Sequence, residues 1–287
     1  MSDDGVRASG LAIPVGVNLT TIGVSTRWWL ESAQRVEVAG YPTVWAWDHF
    51  VSRGRLTDAL LECWTTLAAA AATTSRVRVG SFVTNVVNRH PAVLARMAMT
   101  VADLAPGRVE LGIGIGGHPS EHLSYGIDFP DARERAARLE EAIVVIRALF
   151  SGGPVDFEGT YFQLTDAYAS PVPVPAPRIL VAGETPTGAR LAARMGDAWI
   201  TFDTFFDKLL PIYLEALETA GRRRSDVSIV VATDVPRGAS AVEAPILADP
   251  IGTTAAWRER GADELVLHWI HADQLDHVLA AGERAWA

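Results

Sequence analysis

Short apolar runs rich in Val, Ile and Leu alternate along the chain with stretches in which apolar residues recur every three or four positions. That alternation is the signature of strands and helices arranged in βα units. Eight runs can be counted, at residues 13–19, 43–49, 77–84, 109–116, 178–183, 197–202, 228–235 and 264–270. Their starts fall 30, 34, 32, 69, 19, 31 and 36 residues apart, so most intervals hold one strand, one helix and two short loops. Eight units predict an α/β fold closed as a (β/α)8 TIM barrel. The 287-residue length is close to the roughly 250 residues usual for that fold. A doubly wound open sheet is the competing architecture, and the count of eight favours the barrel. In either fold ligands gather at the carboxyl ends of the strands, so candidate chemistry belongs where each run ends.

The 69-residue interval holds the best-marked helix. Asp131-Ala-Arg-Glu134 after Pro130 resembles a capping box, and Leu139, Ile143, Ile146 and Phe150 then form an apolar stripe. Residues 154–177 mix turn residues with two strand-like segments and a proline-rich return, which predicts a hairpin and loop inserted after the fourth helix. No linker, low-complexity tract or solenoid repeat interrupts the pattern, so residues 1–287 read as a single barrel domain. Residues 1–10 are polar and acidic and read as a disordered tail; the apolar stretch after them breaks at Pro14, too early for a signal peptide or a membrane span.

Composition narrows the chemistry. A net charge of −9 argues against nucleic acid as a partner, because affinity for it comes largely from Lys and Arg neutralising phosphates. The single cysteine, Cys63, excludes an intrachain disulfide, a multi-cysteine metal site and a redox pair, and points to the cytoplasm. Lys208 is the only lysine, so a glycine-lysine phosphate loop is absent and Schiff-base chemistry has one conceivable residue.

At the end of the second run, Trp45-Ala-Trp47-Asp48-His49-Phe50 places a carboxylate and an imidazole at the expected mouth. The two should point to opposite faces unless the strand has ended, and a structural Asp-His pair tying down a loop is the plain reading. His49 is the best general acid or base in the chain. The third run ends in Thr84 and Asn85, which either contact a planar heterocycle or simply close the strand. The fourth ends in Gly112-Ile-Gly114-Ile-Gly116-Gly117. This satisfies the dinucleotide fingerprint literally, but no helix start follows at once, so a glycine face open to a flat ring is the better reading. The fifth ends in Gly183, Glu184 and Thr185, with Thr185 as N-cap and Pro186 at the first helical position. Backbone N–H groups there suit a phosphate, against the charge of Glu184. His90, His118, Glu121 and His122 could be imagined as metal ligands, but Pro119 disfavours a helix that would align His118 with His122, so no metal site is expected. Trp28, Trp45 and Trp47 line a pocket or the core.

Taken in order, Trp47-Asp48-His49-Phe50, the segment from Gly80 to Asn85 with Asn88-Arg-His-Pro91, and Gly107-Arg108 through Gly116 form a recognisable series. With Tyr125-Gly126, Phe129-Pro130, Phe157-Glu-Gly159 and Gly196-Asp197, the chain resembles the bacterial-luciferase-like flavin and deazaflavin oxidoreductases, over about residues 13–205. The resemblance implies a (β/α)8 barrel that binds coenzyme F420, a 5-deazaflavin, or alternatively FMN. It implies hydride transfer between deazaflavin C5 and a small organic substrate, or, for FMN, a monooxygenase fed by a separate cofactor reductase. A non-catalytic flavin-binding barrel is a further possibility, and relatives commonly form homodimers. In these terms His49 is the acid or base and Asp48 contacts the cofactor. Phe82-Val83 is the strand bulge that backs the ring, where relatives often have a cis peptide. Thr84, Asn85 and Gly116 lie beside it, and Gly183, Glu184 and Thr185 receive the phosphate. Phe82 is bulkier than the Gly or Ser usual in the family. Members with a glutamate acid directly after the glycines would place it at Gly117, and Glu121 lies further on.

Overall fold

The computed structural model describes residues 10–52, 55 and 57–286. Of the tail expected at residues 1–10, residues 1–9 lie outside the described residues. The eight runs form the strands β1 (Val15–Leu19), β2 (Thr43–Ala46), β3 (Arg78–Asn85), β4 (Val109–Gly114), β7 (Arg178–Ala182), β8 (Ala198–Phe202), β9 (Ser228–Asp234) and β10 (Glu264–Ile270). They close into a barrel in the order β1-β10-β9-β8-β7-β4-β3-β2, every pairing parallel. The predicted insertion is the antiparallel hairpin of β5 (Val155–Glu158) and β6 (Gln163–Ala167), outside the barrel sheet.

Around the sheet pack α1 (Thr26–Val38), α2 (Cys63–Thr73), α3 (Pro91–Leu104), α5 (Ala132–Leu149), α6 (Pro186–Met195), α7 (Asp203–Thr219), the short α8 (Pro245–Ala248), α9 (Pro250–Arg260) and α10 (Ala272–Trp286). Local sequence sets their starts. Asp131 caps α5 by accepting the Glu134 N–H at 2.8 Å, and Thr185 caps α6 by accepting the Gly188 N–H at 3.1 Å, with Pro186 in the first turn. The expectation about Pro119 is overturned. It opens a helix, α4 (Pro119–Tyr125), because a proline in the first turn gives up an N–H that has no intrahelical partner anyway.

Side-chain alternation sorts the barrel interior into layers. At the amino-terminal end Arg78 and Arg178 each bridge both Glu110 and Glu264, at 2.7 to 3.0 Å, a four-membered ring of charge. Above it Trp45, Leu180, Ala198, Val230 and Val266 form an apolar plug. A Cβ on Gly16 or Gly80 would collide with the Trp45 indole, so these two glycines make room for the largest residue of the lumen. The separate, larger core lies between the outer face of the sheet and the helices. Among the described residues the interior is thus closed from below, by the ring of charge and the apolar plug.

Candidate active site

β2 stops at Ala46, so Trp47, Asp48 and His49 lie on the loop beyond it. The His49 ring lies against that of Trp47, centroids 3.9 Å apart and planes tilted by 55°, and its Nδ1 lies 3.0 and 3.1 Å from the two oxygens of Glu121. A carboxylate only accepts, so Nδ1 carries the proton and Nε2 is left as the position where a proton is gained or lost. Glu121 projects from the first turn of α4, fully buried, and also accepts the Phe50 N–H at 3.0 Å. Burial raises its carboxyl, but the bonds from His49 and Phe50 and the nearby His49 and His122 rings outweigh that, holding it below the ordinary glutamate value. Glu121 is therefore ionised beside an imidazole that is 12% exposed.

Asp48 turns the other way. It is 1% exposed and takes a two-pronged ion pair from Arg89, at 2.7 and 2.9 Å, together with the Asn85 N–H at 3.0 Å and the Asn88 amide at 3.2 Å. Its carboxylate joins the loop after β2 to the end of β3, which is the plain structural reading of the Asp-His pair. Asn85 is buried as well. Its Oδ1 accepts the Val87 N–H at 3.1 Å, and its Nδ2 lies 3.0 Å from His122 Nε2, which is also 2.9 Å from Asn88 Oδ1. His122 Nδ1 in turn donates to the His118 carbonyl at 2.8 Å. Gly116, with φ +77°, lies against Asn85, where a side chain would collide with the amide. Thr84 is buried against α2, its hydroxyl accepting the Trp64 indole N–H at 3.0 Å. Asp48, Thr84 and Asn85 thus form the scaffold behind the mouth.

Phe82 and Val83 sit at the bulge where the β3–β4 register shifts, and the peptide between them is cis. Phe82 fills the lumen against Trp45 and Phe202, leaving the half-buried Val83 beside the opening. Gly112 lies directly against the bulge, where a Cβ would meet the Ser81 carbonyl, and one on Gly114 would stand 3.1 Å from Val83. Gly116 falls outside the strand, so the glycine face consists of Gly112 and Gly114. On the neighbouring strand Ala182 leads to Gly183, whose backbone packs on Gly188 of α6 so closely that a Cβ would come within 2.5 Å. Glu184 and Thr185 are exposed on that rim at the start of α6.

Across the opening stand residues that sequence reasoning missed. His268, on β10, lies opposite Asp234, on β9, in the strand register, and their side chains meet at 2.9 Å. The His268 ring is 4.8 Å from Phe202 and 5.8 Å from Phe82. Trp269 follows with φ +57°, its N–H donated to Asn18 Oδ1 at 3.1 Å and its ring 5.7 Å from Trp47. Only the register of β9 with β10 brings these groups together, whereas the Pro119 start and Glu121 two positions later were a usable signal for the partner of His49. The mouth combines one wall of minimal side chains with a facing wall of aromatic rings, and a buried carboxylate and an imidazole at its edge.

Comparison with known proteins places the chain among similar molecules. The model of the luciferase-like monooxygenase family matches residues 11–274. The chain is 36% identical over 281 residues to an F420-dependent glucose-6-phosphate dehydrogenase of Beutenbergia cavernae, covering 88% of this chain and 80% of that one. It is 33% identical over 293 residues to an F420-dependent hydroxymycolic acid dehydrogenase of Mycobacterium tuberculosis, covering 93% and 80%. In fold it is similar to an F420-dependent secondary alcohol dehydrogenase solved with an F420-acetone adduct, with a TM-score of 0.78, 22% identity and coverage of 95% and 99%.

Proposed function

The chain belongs to the luciferase-like monooxygenase family, and from that membership we propose that it is an oxidoreductase dependent on coenzyme F420, acting on a small organic substrate with His49 as its acid or base. The residues present fit a flat tricyclic cofactor: Gly114 and Ala182 leave one side of the mouth almost without side chains, beside Val83. Val83 and the Phe82–Val83 bulge would back the ring, and Gly183, Thr185 and the first turn of α6 would hold its phosphate. When bound, the deazaflavin supplies a hydride acceptor or donor.

The protein's own part is binding, orientation and the proton. Glu121 holds the His49 Nδ1 proton and with it the orientation of the ring, so that Nε2 exchanges the proton released or taken up when the substrate changes oxidation state. An imidazole does this in both directions near neutrality. Asp48 supports the arrangement through Arg89 and Asn85. The apolar plug beneath the mouth keeps water from entering from below.

The observation that carries this reading is the buried Glu121 carboxylate on His49, in the loop that follows β2. The names of the two relatives above favour the deazaflavin over FMN and a partner reductase. A side-by-side fluorescence titration with coenzyme F420 and FMN tests it. Saturable F420 binding at low micromolar concentration, with FMN weaker, is expected, and FMN binding more tightly than F420 overturns the choice of cofactor.

A further inference from the structure

The two walls of the mouth differ in chemistry, and the difference bears on the substrate. The wall of β3, β4 and β7 presents Val83, Gly114 and Ala182 and leads to the phosphate-binding segment at Gly183. The facing wall, from β8 through β10 to the loop after β2, presents Phe202, Asp234, His268, Trp269 and Trp47. A cofactor lying on the flat wall leaves its substrate against the aromatic one.

That second wall carries a negative charge. The Asp234 side chain is 79% exposed at the mouth and His268 beside it only 16%, so the carboxylate faces whatever enters. Because Asp234 accepts the Nδ1 proton of His268, Nε2 is the ring nitrogen left to meet a substrate oxygen. The Trp269 indole N–H is buried without a hydrogen-bond partner among the described residues, on a residue whose left-handed backbone is rare for an aromatic. It is a donor suited to a carbonyl or hydroxyl oxygen. Arg237, in the loop after β9, is engaged by Asp273 at 3.2 Å. A phosphate or carboxylate placed here would meet the Asp234 carboxylate at close range, a like-charge repulsion that disfavours charged ligands relative to neutral ones.

Resting on the deazaflavin reading above, we infer that the substrate is a neutral alcohol or its carbonyl counterpart with an apolar or aromatic body, and that Asp234 excludes phosphorylated analogues. The aromatic rings hold the body of the molecule, while the His268 and Trp269 nitrogens address its single oxygen. Asp234 is in these terms a specificity-determining residue.

Calorimetric titration in the presence of coenzyme F420 tests the inference, with acetone, cyclohexanone and acetophenone as neutral probes and glucose 6-phosphate as the anionic one. F420 binding is scored separately by quenching of its own fluorescence, so a failure of the cofactor reading shows as unquenched F420, whatever the probes do. The wild type should give saturable heat with at least one ketone, the aromatic one binding most tightly, and none with glucose 6-phosphate. Asp234→Lys should bind glucose 6-phosphate at least tenfold more tightly than the wild type does, and Asp234→Asn should move in the same direction. Circular dichroism matching the wild type establishes that both variants fold. The inference is overturned if the wild type binds glucose 6-phosphate as well as any ketone, if no ketone binds, or if folded Asp234→Lys leaves the anion unbound.

Discussion

His49 and Glu121 are 72 positions apart in sequence and in hydrogen-bond contact in the fold. At the scale of these two residues the account makes separable predictions. His49→Ala should lower turnover by about 10²- to 10⁴-fold, the usual worth of a positioned acid or base, while F420 affinity measured by fluorescence changes by only a few-fold. Glu121→Gln should lower turnover as well and should also cost stability, roughly 1.5 to 3 kcal/mol for a buried charge-assisted hydrogen bond. Its pH dependence has a definite sign. The Glu121 carboxyl lies below its ordinary value of 4.5 in the folded protein, so its contribution is fully present above that value and fades as pH falls through the folded one. Urea denaturation should therefore show a gap between wild type and Glu121→Gln that is widest near neutrality and narrows below pH 4.5. A gap independent of pH across that window would contradict an ionised Glu121.

At the scale of elements, glycines where neighbouring segments meet tie the fold to the site. Gly112→Ala would drive a Cβ into the Ser81 carbonyl at the β3 bulge. Such overpacking costs about 1 to 3 kcal/mol and should displace the bulge, so lower thermal stability together with weaker F420 binding is expected, read by calorimetry and fluorescence. A variant as stable as the wild type that binds F420 equally well would show that the bulge has room to spare. Periodicity made the eight strands legible, together with the long helix after Asp131 and the inserted hairpin, because each is specified by neighbours in sequence. It lost the trail at Pro119, which is a breaker inside a helix and a starter at its first turn, so α4 went unseen and with it the pairing of Glu121 with His49. The sequence reads Asp48, Thr84 and Asn85 as cofactor contacts, but their facing is not legible in it, since the direction of a side chain beyond a strand end depends on where the strand stops. The Asp234–His268 pair was invisible for a related reason: two residues 34 apart meet only through the register of β9 on β10.

At the scale of the whole molecule, the barrel is closed at one end by charge and opened at the other for chemistry. Glu110 is nearly inaccessible and serves Arg78 and Arg178 together, so Glu110→Ala leaves two partly buried guanidinium groups with Glu264 alone. Breaking a buried pair from one side costs about 3 to 5 kcal/mol. The melting temperature should accordingly fall by roughly 5 to 15 °C, with F420 affinity little changed, since this layer lies at the far end of the barrel from the mouth. A large loss of cofactor binding in a folded Glu110→Ala variant would mean that the two ends are coupled. The account as a whole is tested most directly by a crystal structure of the protein soaked with coenzyme F420. The tricyclic ring is predicted on Val83 and the Gly114 wall, its phosphate at Gly183 to Thr185, and the His49–Glu121 pair intact beside it. Density for the ring anywhere else on the molecule, or against the Phe202 and His268 wall, would contradict it.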